Sequence, residues 1–153
     1  MERTWIKNET GLTLIELLGS ITILSIVIMT FLAFFIQSAK STKVSEQMMD
    51  ATYATQRYVE TVYHESIDVD YQAWIEQLRL EADQFHRTSQ ADQMTVSYAG
   101  YRMDVLIEPV IDQENNRLVD LYRVLVKTYD QQNVKQAQIE TKLVVHAGGD
   151  TSG

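Results

Sequence analysis

Glu16 is the one formal charge in the 25 residues from Leu12 to Ile36, LTLIELLGSITILSIVIMTFLAFFI. A carboxylate held in a bilayer costs roughly 2.5–3.5 kcal/mol on insertion scales, and more when unpaired, so Glu16 needs a partner. Gly11 stands directly before the apolar run. Without a Cβ it lets a protease approach the backbone closely, and its poor helix propensity leaves the junction extended where a rigid helix begins. Gly19, Thr22 and Ser25 follow at three-residue steps, a small polar ridge suited to close helix packing but also ordinary in membrane helices.

Elsewhere the chemically capable residues lack the spacing of a reactive site. His64, His86 and His146 are far apart and outside any HExxH or Cys/His pattern, so they read as surface or helix-end residues. Asp112, Glu114 and Asn116 alternate like the opening of a calcium loop, but Arg117 replaces the required Gly and no Glu follows at the twelfth position. A hairpin turn is the better reading. Asp68 and Asp70 offer too few ligands for a calcium site, and Tyr53, Tyr58 and Tyr63 suit a core or a subunit interface. Asn8-Glu9-Thr10 matches the glycosylation triplet only by coincidence if that segment is cytoplasmic. With no phosphate loop, GxSxG elbow or paired acid and base, neither enzymatic activity nor a cofactor is expected. The absence of cysteine excludes disulfides and thiolate chemistry, and a net charge of -8 disfavours direct binding of nucleic acid.

The elements that position these residues follow from length and periodicity. Roughly 20 apolar residues cross a bilayer core, so 12–36 is long enough to span. Removing the first 36 of the 153 residues leaves about 115, enough for one small core. Beyond Ile36 the helical period continues without Gly or Pro, with Val44, Met48, Ala51, Thr55, Tyr58 and Val62 on one face. One helix from about Leu12 to His64 is the simplest reading, and its outer half requires a cover for its apolar stripe. Residues 73–87 predict a second amphipathic helix, with Trp74, Leu78, Ala82 and Phe85 aligned.

The period then changes to two. Tyr101, Met103, Val105 and Ile107, then Tyr122, Val124 and Val126, then Ala137, Ile139, Leu143 and Val145 alternate with polar neighbours as half-buried strands. Met94 to Tyr98 can add a fourth, and 112–117 and 130–133 are turns. Pro109 marks a strand end, an edge or a bulge. Short connections imply an antiparallel meander with one apolar face, which the outer half of the long helix would cover. The expected class is α+β, with a sheet of three to four strands. The expected divisions are 1–11 leader, 12–36 membrane helix, 37–65 outer helix, 66–147 head and 148–153 tail.

Gly11-Leu12-Thr13-Leu14-Ile15-Glu16-Leu17-Leu18 followed by an apolar helix resembles the N-terminal signature of type IV prepilins and of the pseudopilins of secretion and competence systems. The resemblance covers about 30 residues, and beyond them it is one of architecture only. It implies cleavage between Gly11 and Leu12 by prepilin peptidase on the cytoplasmic face and N-methylation of Leu12. It also implies that Glu16, fifth in the mature chain, pairs with the new amine of a neighbouring subunit. The implied partners are that peptidase, other pilins or pseudopilins through the N-terminal helix, an inner-membrane assembly platform and membrane lipid. The implied location is a single pass with a cytoplasmic N-terminus and the C-terminal domain outside, at the cell surface after assembly. Leu12 stands where Phe is usual and Ala33 where many major pilins carry a kinking proline, which with the missing cysteines favours a minor pilin or pseudopilin. The competing expectation is a single-pass membrane-anchored extracellular binding or sensor protein.

Overall fold

The computed structural model describes residues 13–67, 69–112 and 117–145. The chain forms two compact units divided between Val44 and Ser45. The first is helical from Leu14 onward, as the first portion of α1 (Leu14–Glu65). Every side chain from Thr13 to Asp50 is exposed, including the apolar ones from Leu14 to Ile36. A predominantly apolar, exposed helical surface of this length is compatible with a single-pass membrane anchor.

The second unit carries the rest of α1, then α2 (Tyr71–Glu81) and five strands: β1 (Gln84–Arg87), β2 (Asp92–Tyr98), β3 (Tyr101–Ile111), β4 (Arg117–Tyr129) and β5 (Lys135–Val144). They form one antiparallel meander in the order β1-β2-β3-β4-β5. The sheet thus has five strands where three to four were expected. The added strand comes from the predicted second helix, which spans 71–81 and not 73–87. Asp70 starts that helix by accepting from the Gln72 and Ala73 amides at 2.8 and 3.0 Å. Ala82 ends it in an extended conformation, and Asp83 donates its amide to the Thr95 carbonyl at 2.9 Å. The free edge of β2 then captures Gln84–Arg87, whose backbone gains partners that four more helical residues would not have found in a neighbour.

One core joins all layers. Met94, Val96, Met103, Val105, Ile107, Tyr122, Val124, Val126 and Leu143 line the inner sheet face, with Val145 just beyond β5, and the alternation expected for β3 and β4 is the one observed. Against them pack Ala54, Tyr58 and Val62 of α1 and Trp74, Ile75 and Leu78 of α2. The cover is therefore shared by two helices. The buried stripe of α1 begins only at Ala51, because Val44 and Met48 remain 50% and 46% exposed. The Trp74 indole N–H donates to the Val62 carbonyl at 3.2 Å and ties the two helices together. Asp92, buried at the start of β2, is held by Arg87 Nε and by the Tyr71 hydroxyl, each at 2.6 Å. Pro109 falls where the β3–β4 register shifts, past the last residue of β3 paired with β2, so its missing N–H interrupts no inner ladder.

Candidate assembly and processing site

Of the three residues singled out at the N-terminus, Gly11 and Leu12 lie outside the described residues, and Glu16 sits in the first turn of α1. Thr13 precedes that turn. Its Oγ1 accepts from the Glu16 amide at 3.3 Å, its carbonyl accepts from the Glu16 and Leu17 amides at 3.1 Å each, and its own N–H donates to Glu16 Oε2 at 3.4 Å. This is a reciprocal capping box, in which side chains serve the backbone donors of Thr13 and Glu16 at the helix start. The carboxylate also lies at the helix end where the aligned peptide dipoles place partial positive charge, which favours an anion. Glu16 therefore has a local partner within its own chain, and its side chain is still exposed. Thr13 was missed as a functional residue by sequence reasoning. The signal was present, since Thr-x-x-Glu ahead of an apolar run is the pattern of such a cap.

From Leu12 to Ala39 the sequence contains no Lys, Arg or His. Any full neutralisation of Glu16 within the apolar stretch must come from outside that stretch. The hydroxyls there are satisfied internally: Ser20, Thr22 and Ser25 donate to the carbonyls of Glu16, Leu18 and Ile21, and Thr30 to that of Val27, each at 2.8 Å. Such back-bonding meets the demand of a hydrocarbon environment that no donor be left bare. The proposed ridge of Gly19, Thr22 and Ser25 thus presents methyl and methylene surface, and a Cβ at Gly19 would meet nothing within 4 Å.

The remaining candidates scatter. His64 is exposed in the last turn of α1 and His86 is exposed on β1, while His146 and most of 112–117, including Glu114 and Asn116, lie outside the described residues. Asp70 is occupied as the cap of α2, and Asp68 lies outside the described residues. Tyr58 is buried and tilted against Tyr98 at 5.4 Å, whereas Tyr53 and Tyr63 are 62% and 49% exposed, so the three do not share a face. Among the described residues, no three His, Asp or Glu side chains gather closely enough to hold one metal ion. An open hollow of about 560 Å³ on the outer sheet face is lined by Gln84, His86, Gln93, Asp104 and Lys127 among others. Leu106 and Leu125 are paired across β3 and β4 there, and both lie among its lining.

Residues 6–32 match the prokaryotic N-terminal methylation motif, the signature of prepilin-type proteins. The match spans Gly11, Leu12, the Thr13–Glu16 cap and the apolar helix as far as Leu32. No match to the chain was found among curated proteins or among solved structures.

Proposed function

We propose that the protein is a pilin-type subunit, a minor pilin or pseudopilin, that joins or initiates a type IV filament, a competence pseudopilus or a secretion pseudopilus. The observation that carries this reading is the methylation motif over 6–32 coinciding with a capped, exposed apolar helix whose one charge is Glu16. In this reading prepilin peptidase cuts after Gly11 and Leu12 becomes the methylated N-terminus. The released amine of one subunit and Glu16 of its neighbour then neutralise each other, a pairing favoured where lipid screens little. The leader faces the cytoplasm and the head lies outside. The partners are the peptidase, other pilins along α1, the assembly platform and lipid, and the head acts by being displayed and not by catalysing a reaction.

Processing tests this directly. Gly11→Val, or loss of the host peptidase, should leave a chain longer by the leader, visible as slower electrophoretic migration, and should abolish filament incorporation. Unchanged mobility and function would show that the helix is merely an anchor for a binding or sensor protein. Glu16→Gln should be cut normally yet crosslink poorly into filaments, and normal incorporation would remove the charge-pairing role.

A further inference from the structure

Glu65 is the last residue of α1 and Glu81 the last of α2. Both carboxylates therefore stand at helix carboxyl ends, where the terminal carbonyls already carry partial negative charge. Those of α1 are satisfied by the turn that follows: the Ser66 amide and hydroxyl donate to the Tyr63 carbonyl at 3.1 and 2.7 Å, and the Ile67 amide donates to that of His64 at 3.3 Å. None of these donors serves Glu65 Oε2, which is sealed from solvent and has no hydrogen-bond partner among the described residues. An unsatisfied buried carboxylate oxygen is costly and uncommon in a folded protein.

We propose that the corner where α1 and α2 end is a proton-operated clasp, in which protonation of Glu65 tightens the head. Protonation removes a charge that has no compensation at Oε2 and ends the repulsion between Glu65 and Glu81. Tyr58, whose phenol is pushed up by burial and then by Glu65 and Glu81, stays neutral across the carboxylate range and adds no charge to the corner. The groups facing the corner are Arg57, Tyr58, Glu60 and His64 from α1, Glu81 from α2 and Tyr98 from the end of β2. Arg57 is a cation on the rim of this corner. Burial and then Glu81 nevertheless hold the Glu65 carboxyl above its usual range.

A carboxyl whose folded value is raised adds stability that is complete below its unfolded value and is lost as pH climbs through the folded one. Acidification from neutral should therefore strengthen the α1–α2 attachment made by Trp74 and Val62.

The test is a thermal melt of the full chain in detergent micelles, carrying Trp5→Phe so that the fluorescence reports Trp74 alone. Between pH 7.5 and pH 5 the midpoint should rise by several degrees. Glu65→Gln should melt higher than its parent at pH 7.5 and show no rise on acidification. Glu81→Gln should show a smaller rise, and Glu60→Gln, an exposed neighbour, should keep the parental slope. A parental midpoint that is flat or falling over this window overturns the proposal, as does a Glu65→Gln protein with the parental slope. Should Glu65→Gln fail to fold, carbon-detected titration of the Glu65 carboxyl in the parent decides, and a midpoint in the ordinary range overturns it.

Discussion

The hydroxyls of Thr55 on α1 and Thr128 on β4 lie 2.6 Å apart, and both side chains are fully buried. Thr55 Oγ1 also donates to the Ala51 carbonyl at 2.6 Å. A hydroxyl has a single proton, so Thr128 must be the donor to Thr55. This asymmetry makes a prediction. Thr55→Val strands the Thr128 hydroxyl and should cost about 1–3 kcal/mol, whereas Thr128→Val leaves Thr55 its carbonyl acceptor and should cost about 1 kcal/mol or less. The double variant should cost less than the sum of the two, by at least about 0.5 kcal/mol in a denaturant cycle.

The point at which α1 enters the core is equally testable. Val62 is fully buried, so Val62→Asp places an unpaired charge in the core and should cost several kcal/mol, of the order of a small domain's whole stability. Met48→Asp, at a side chain 46% exposed, should stay within about 0.5 kcal/mol. Near-equal losses in denaturant midpoint would mean that the helix is covered further toward its N-terminus than the structure has it.

Ala99 and Gly100 form the two-residue turn between β2 and β3, with φ of 51° and 83°. Gly tolerates this region, but an alanine pays about 1–2 kcal/mol there. Ala99→Asn creates the Asn-Gly pair that such hairpins favour, and should stabilise the head by about 0.5–1 kcal/mol in thermal or chemical unfolding.

Asp130 organises the turn between β4 and β5. Its Oδ1 accepts from the Gln132 and Val134 amides at 2.9 Å each, and its Oδ2 accepts from Gln136 Nε2 at 2.6 Å. The Val134 amide, with help from Gln136 and the Gln132 amide, holds its carboxyl below the usual range. The sign is opposite to that of Glu65: this contribution is present above the ordinary carboxylate value and is lost as pH falls through the depressed one. Asp130→Asn should lower stability at neutral pH, converge with the parent in acid and so flatten the acid limb below about pH 4. An unaltered acid limb in pH-dependent melts would show that the turn does not depend on the charge.

The sequence by itself determined the parts of this protein that depend on local period and composition. The apolar run around Glu16 could only be a long exposed-face helix, because 25 mostly apolar residues without a proline or a turn cluster fit no strand or turn. The inner faces of β3 and β4 were legible because a period of two leaves one face for Met103, Val105 and Ile107 and for Tyr122, Val124 and Val126. The Thr13–Glu16 cap was legible as well and went unread, since its signal is a pair of polar residues three apart beside a much louder hydrophobic pattern.

Tertiary structure decided the rest. Phe85 has the right spacing for the α2 face, yet it belongs to β1, because an open edge on β2 offers backbone partners that no local propensity records. Met48 and Val62 lie on one helical stripe, and only the extent of the sheet determines that the second is buried and the first is not. Tyr53, Tyr58 and Tyr63 divide in the same way. The pairing of Thr55 with Thr128 and the influence of Glu81 on Glu65 join residues on different elements. Periodicity specifies the face of each element, but only the packed chain specifies which two faces meet.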